Sequence, residues 1–344
     1  MKAYIAGGVG EHGRSSYYIE GSQTAFLVDC GQALGTSQPN PRLSAEQIQR
    51  SDYLLLTHSH LDHSGAYPWL LTQGFRGQVI ASAETLAQLP FAVQGPRVIE
   101  PGQLLRLNEA FSLTCGRSGH CVGSLWFEAR LKGRQLLFSG DYAEDTLMYH
   151  CDKLRGRQAD LAFLDSGLDE AVGSPEALRS QIYQTVQQAL QAGRPVILPV
   201  PRHGRGLELI CLMHALAYLQ LDDHARQALE QMPSQREWFK RAMPELSGVG
   251  GSIHVICDAQ LKRPGNRVLV DRLMQEEQAL LLLTGYLEPG SFSEKLSRRS
   301  QARHLPYPSH ASDQTATLLQ GLNDFARVVR THSERFHHER DITL

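Results

Sequence analysis

The chain has 344 residues, of which 42% are apolar and 20% charged, with a formal net charge of -2. That length exceeds one small core and calls for one large or two moderate domains, and the composition is that of an ordinary soluble globular protein. The near-neutral balance excludes a general basic field, so a nucleic-acid partner would have to be held by a local patch.

From the N-terminus, residues 2–6 read as a strand ending in Gly7-Gly8-Val9-Gly10-Glu11-His12-Gly13-Arg14. The glycines permit positive φ, so this loop serves either as a plain tight turn or as a segment lying close to a substrate phosphate or to metals. Ser16-Tyr17-Tyr18-Ile19 and Thr24 to Asp29 form two β-type runs joined at Gly21-Ser22, a meander. Asp29, closing the second run, is either a turn former or an orienter of a nearby ligand. Ser44 with Gln47 three residues later starts a helix through a capping box, which delivers the chain to an apolar strand over 52–57.

The stretch Thr57-His58-Ser59-His60-Leu61-Asp62-His63-Ser64-Gly65 follows at the end of that strand. His58 and His60, two apart in an extended segment, point the same way, so one metal ion can take both imidazoles. Asp62 and His63 lie where the chain turns into a helix with Ala66, Trp69 and Leu70 on its apolar face; they point elsewhere and can hold a second ion. Imidazole with carboxylate suits zinc, or manganese and iron where oxygen ligands weigh more.

Beyond it, Gln78 to Ala81 reads as a strand and Glu84 to Leu89 as a short helix. The runs Leu104–Leu107, Ser112–Cys115, Ser124–Leu131 and Gln135–Ser139 predict a second sheet. His120 stands in a glycine-flanked turn and Asp141 at a strand end, and Ala159 to Asp165 is a further strand closed by an acid. From about 173 to 305 strands alternate with helices, including helices from Ser174-Pro175-Glu176 to Leu190 and over Leu207–Leu221, which is the rhythm of a separate α/β lobe. Ser309-His310, a helix over about 313–325 and the strand-like Val328 to Glu334, carrying His332, complete the chain. The basic tail Arg335 to Arg340 reads as a frayed terminus or an oligomer contact.

Cys30, Cys115, Cys121, Cys151, Cys211 and Cys257 form no C-x-x-C pair and read as thiols of a reducing compartment. No apolar run reaches about 18 residues and the N-terminus lacks a signal-peptide core. A cytoplasmic protein without a membrane partner is therefore expected.

The sequence Thr57 to Gly65, followed by Gly119-His120 and Gly140-Asp141, resembles the signature of the metallo-β-lactamase fold. Gly7-Gly8-Val9-Gly10-Glu11 is similar to the opening of RNase J. Gly119-His120-Cys121-Val122-Gly123-Ser124, Pro201 with Gly204-Arg205-Gly206-Leu207-Glu208-Leu209, and Leu283-Thr284-Gly285-Tyr286 resemble landmarks of the β-CASP nuclease branch. The resemblance implies an α/β protein, an αββα sandwich with an inserted α/β lobe: residues 1–172 the first part of the metallo-β-lactamase domain, 173–305 the β-CASP-like insert, and 306–344 the return.

Position by position, the resemblance implies that His58, His60 and His120 hold one zinc ion and Asp62, His63 and His332 a second, with Asp141 bridging and Asp29 the acid beneath them; manganese is the alternative metal. Asp165 matches the branch's acidic motif A, His310 its motif B and His332 its motif C, where histidine marks RNA-acting members. Departures are Ser166-Gly167-Leu168 after Asp165 and an insert shorter than usual. The implied activity is a metal-dependent ribonuclease, endo- or 5'-exonucleolytic, hydrolysing single-stranded RNA through a hydroxide activated by two zinc ions. In it Asp62 or Asp141 orients the nucleophile, with Asp165 counted among the catalytic residues. His310 binds the scissile phosphate or protonates the leaving oxygen. Arg202, His203, Arg205 and Ser309 are candidate substrate contacts beside a cleft between lobes. A DNA nuclease, a hydrolase of small esters or phosphodiesters, and a non-catalytic RNA-processing scaffold stand as alternatives, and a homodimer as an alternative to a monomer.

Overall fold

The computed structural model describes residues 1–169, 173–213, 218–221 and 252–344. The chain divides into two compact units, Met1–Glu170 with Ser309–Leu344, and Ala171–Pro308.

The first unit is built on two sheets. One has the strand order Asp341–Thr343, Lys2–Gly7, Ser16–Glu20, Ala25–Val28, Tyr53–Leu55, Gln78–Ala81 and Arg97–Val98; the other runs Val328–Thr331, Leu161–Asp165, Arg134–Phe138, Leu125–Leu131, Phe111–Arg117 and Leu104–Arg106. Alternate residues of both sheets meet in one core: Tyr17, Ile19, Phe26, Val28 and Leu55 from the first pack with Phe111, Phe127, Phe138 and Phe163 from the second. The rings of Phe138 and Phe163 stack with centroids 4.9 Å apart, a contact within the favoured range for aromatic pairs.

The intervening residues face outward and are buried too. Tyr18, Leu27, Leu54 and Leu56 pack with Ile48, Tyr67 and Leu70 from helices, and Leu137, Ala162 and Leu164 pack with Ala316 and Leu319 of the helix Asp313–Gly321. Both faces of each sheet are thus covered, which is why the central strands read as continuous apolar runs rather than alternating ones. The layers are helix, sheet, sheet, helix.

The second unit carries a parallel sheet in the order Tyr218–Leu221, Ser252–Ile256, Val196–Pro199, Leu280–Leu283 and Arg303–His304. Helix Pro175–Gln191 leads into it, and helices Arg205–Met213, Pro264–Glu276 and Phe292–Arg298 fall between its strands in the chain. Ile197, Ile256, Leu281 and Leu283 pack with Val270, Leu273 and Leu296, as parallel strands linked by crossover helices require.

Several sequence expectations are corrected. The helix following the ligand stretch is two, Leu61–Ser64 and Tyr67–Thr72, because Gly65 caps the first and Pro68 sits in the first turn of the second. The helix expected over Leu207–Leu221 is Arg205–Met213, residues 214–217 lie outside the described residues, and Tyr218–Leu221 is a strand. The helix expected to reach 325 stops at Gly321, and Asp324–Phe325 pairs with Gln158–Ala159, separating the latter from Leu161–Asp165. The tail Arg335 to Arg340 is tied at both ends rather than frayed, Arg335 Nη2 donating to Ser166 O and Leu168 O and Arg340 O accepting from Ile5 N, and it leads into Asp341–Thr343, which pairs antiparallel with Lys2–Tyr4. Among the described residues, no helix is long and apolar enough to cross a membrane.

Candidate metal centre

The site is assembled where strands of the first unit end. Asp29 follows the strand Ala25–Val28 at φ 59, a left-handed conformation unusual for a non-glycine residue. That geometry aims its buried carboxylate across the sheet end, where it accepts from Thr57 N and Thr57 Oγ1, both at 2.8 Å, and faces His63 Nδ1 at 2.7 Å. Thr57 Oγ1, having donated to Asp29, accepts from His58 Nδ1 at 3.0 Å. His120 Nδ1 donates to the Ser309 carbonyl at 2.7 Å. Each ring is therefore fixed through Nδ1, with Nε2 turned inward, the tautomer a metal ligand needs.

Those inward nitrogens converge. His58 Nε2 stands 3.1 Å and His120 Nε2 3.2 Å from His60 Nδ1. Asp141 is the shared carboxylate: its Oδ2 is 3.5 Å from both His58 Nε2 and His120 Nε2, and its Oδ1 is 3.0 Å from His63 Nε2. His332, at φ 59, brings Nε2 to 3.2 Å from Asp62 Oδ2 and 3.7 Å from Asp141 Oδ2. Close backbone approach requires glycine beside these residues: a Cβ on Gly31 would lie 1.6 Å from the Asp62 carbonyl oxygen, and one on Gly119 2.2 Å from that of Ala143.

Burial sets the electrostatics, modified by neighbours. It pushes the pKa of His58 and His120 well below the ordinary value and that of Asp29 up. Burial alone would raise Asp141 and Asp62, but the surrounding imidazoles outweigh it and hold both carboxyls well below the usual range. For His332 burial is likewise overcome, here by Asp141 and Asp62, which raise it to about 9.

Among the described residues, donor atoms lie within 4.8 Å of one another in three groups: His58, His60, His120 and Asp141; Asp141, Asp165, His310 and His332; and His12, Asp62 and His332. The residues fit divalent cations. Three imidazole nitrogens facing one another beside a carboxylate whose pKa is held low are the donor set such an ion satisfies. His63 joins none of these groups and instead bridges Asp29 and Asp141.

His310, with 21% of its side chain exposed, places Nδ1 3.2 Å from Asp165 Oδ2 and stacks on His332 with centroids 4.5 Å apart. Asp165 is itself fixed, accepting from Tyr142 N at 2.9 Å, Gly167 N at 2.9 Å and Ala311 N at 3.1 Å. Arg202, His203 and Arg205 belong to the second unit and enter none of the three groups. Arg205 Nε donates to Thr284 Oγ1 at 3.4 Å, with its guanidinium against Gly285; burial lowers its pKa to about 10. Sequence reasoning did not single out His12. Its only sequence signal is its place in the glycine-rich loop, and its pKa is lowered to about 3 by burial and then by His332.

A family model for the metallo-beta-lactamase superfamily matches residues 9–192. An endoribonuclease of Emericella nidulans is 21% identical over 405 aligned positions, covering 95% of this chain and 46% of that protein. A ribonuclease of Thermus thermophilus is 27% identical, covering 58% and 52%, and the transcription termination factor FttA of Methanothermobacter thermautotrophicus is 24% identical, covering 70% and 43%. The chain spans about half the length of these curated relatives. A crystal structure of a protein of unknown function from Enterococcus faecalis superposes with a TM-score of 0.66 at 12% identity, covering 100% of this chain and 99% of that one; it shares the fold. With the family match running from the glycine-rich loop through the ligand stretch and beyond Asp141, the chain belongs to the metallo-β-lactamase superfamily.

Proposed function

We propose that the chain is a metal-dependent ribonuclease that hydrolyses phosphodiester bonds of single-stranded RNA. The observation that carries this reading is the convergence of His58, His60, His120, His63 and His332 on the Asp141 carboxylate, with Asp62 against His332, from segments scattered over the chain. RNA is favoured by the names of two relatives, an endoribonuclease and a ribonuclease, and by histidine at position 332, the motif C residue of RNA-acting members.

His58, His60 and His120 would hold one ion and Asp62, His63 and His332 the other, with Asp141 shared; zinc suits the donors, with manganese the alternative. When bound, such ions polarise phosphoryl oxygen and bring the pKa of a water from about 15.7 towards about 7. Asp62 and Asp141, held ionised by their neighbours, orient the attacking water. His310, held by Asp165 through Nδ1 and partly exposed, delivers the proton to the leaving ribose oxygen as the phosphorus–oxygen bond breaks. Asp165 is then a positioning residue. Arg202, His203, Arg205 and Ser309 are proposed contacts to the RNA backbone. The cysteines are free thiols, in keeping with a reducing, cytoplasmic compartment.

The test is to incubate the zinc-loaded protein with labelled single-stranded RNA, the same sequence as DNA, and bis-p-nitrophenyl phosphate. Cleavage of RNA in preference to DNA is expected, and turnover of the small ester alone would remove the ribonuclease reading.

A further inference from the structure

Position 12 lies immediately after the stretch Gly7 to Glu11 and is occupied by a histidine whose ring meets that of His332 edge to face, with centroids 4.4 Å apart and planes at 74°. One donor atom each from His12, Asp62 and His332 lies within 4.8 Å of the others. Two ligands of one zinc ion, each bound at about 2.0–2.2 Å, stand at most about 4.4 Å apart, so a small rotation of the rings closes the set.

The loop that carries His12 is tied to both of the other residues. His332 N donates to Gly8 O at 2.8 Å, and Ser15 N donates to Asp62 O at 2.9 Å. Val9 bridges to Ser333. On either side of His12, Glu11 and Arg14 are clamped together: Arg14 Nη2 is 2.6 Å and Arg42 Nη1 2.7 Å from the Glu11 carboxylate, and Arg14 Nη1 donates to Gln38 O at 2.7 Å. Left-handed glycines at 8, 10 and 13, with φ 82, 70 and 88, give the backbone the turns that this path needs. The imidazole is thus presented by a braced loop, the arrangement that a ligand requires and a surface residue does not.

We propose that His12 is a protein ligand of the second metal position, joining Asp62 and His332 there. This rests on the metal reading above. It would give that position a third imidazole in addition to His63 and His332.

The test counts and titrates metal in the chain of 344 residues. Wild type and the variants His12→Ala and His12→Gln are stripped, reloaded with zinc, dialysed against a competing chelator and analysed for bound zinc; the visible absorption of the cobalt(II) forms is recorded in parallel. Wild type retaining two ions while both variants bind the second at least about tenfold more weakly, with an altered cobalt spectrum, supports the proposal. Variants that keep two ions with wild-type affinity and spectrum overturn it and leave the metal reading standing. A wild type that binds no ion overturns the metal reading itself. Because both variants could be impaired in folding, histidine-labelled wild type loaded with cadmium-113 gives an independent readout. A one-bond cadmium–nitrogen coupling to the His12 ring supports ligation, and its absence while His332 shows one contradicts it.

Discussion

His332 Nε2 lies 3.2 Å from Asp62 Oδ2, although 270 residues separate them in sequence. The pair joins a carboxylate in the helix Leu61–Ser64 to a ring just past the strand Val328–Thr331, so the site is complete only when the chain returns after the second unit. His332→Ala leaves Asp62 and Asp141 each short of an imidazole. We expect this variant to bind the second ion at least about tenfold more weakly and to lose about 100-fold or more in RNA cleavage. Metal analysis after dialysis and single-turnover cleavage check both.

Asp29 stands one step further from the proposed ions. It holds Thr57 twice and His63 once, and an amide can still accept from Thr57 but cannot offer His63 a negative partner. Asp29→Asn should therefore fold and bind zinc about 10–100-fold more weakly, as calorimetric titration of the stripped protein would measure.

His310 is the test of leaving-group protonation. His310→Ala should keep both ions and lose about 10²–10⁴-fold in kcat on RNA, while p-nitrophenyl phosphodiesters, whose leaving group needs no proton, lose much less. An equal loss on both substrates would assign His310 to phosphate binding instead.

Glu11 offers a pH dependence in the loop that carries His12. Burial alone would raise its pKa, but hydrogen bonds from Arg14 and Arg42 outweigh it and lower the carboxyl below 4.5. The unfolded chain then takes up the proton first on acidification. The stabilisation is fully present above about pH 4.5 and disappears as pH falls through the lower folded value. Glu11→Gln should cost about 1–2 kcal/mol at pH 7, with the gap in Tm from wild type closing as the pH is lowered. A gap that stays constant down to the acid limit of folding would show that the charge contributes nothing.

The ligand stretch was legible because its spacing is local: His58 and His60 project together from the end of a buried strand, whatever surrounds them. His120 and Asp141 were legible only as turn residues until a resemblance connected them, since the Asp141 contacts join residues remote in sequence. The helix Leu207–Leu221 shows the opposite case. An apolar run of this kind suits helix or buried strand equally, and the parallel pairing of Tyr218–Leu221 with Ser252–Val255 decides it. His12 is not legible as a ligand in the sequence because its position depends on the bond between His332 N and Gly8 O, which no periodicity records. The strand Asp341–Thr343 is three residues long and exists through its pairing with Lys2–Tyr4.

The central claim, hydrolysis of RNA at a two-ion site built around Asp141, is tested most directly by titrating zinc into the stripped protein while following cleavage of a 5'-labelled single-stranded RNA. We expect no cleavage without metal, recovery that tracks bound zinc and saturates at about two ions per chain, and none in Asp141→Asn at any zinc concentration. RNA cleavage by the metal-free protein, or a fully loaded protein that leaves RNA intact, would contradict it.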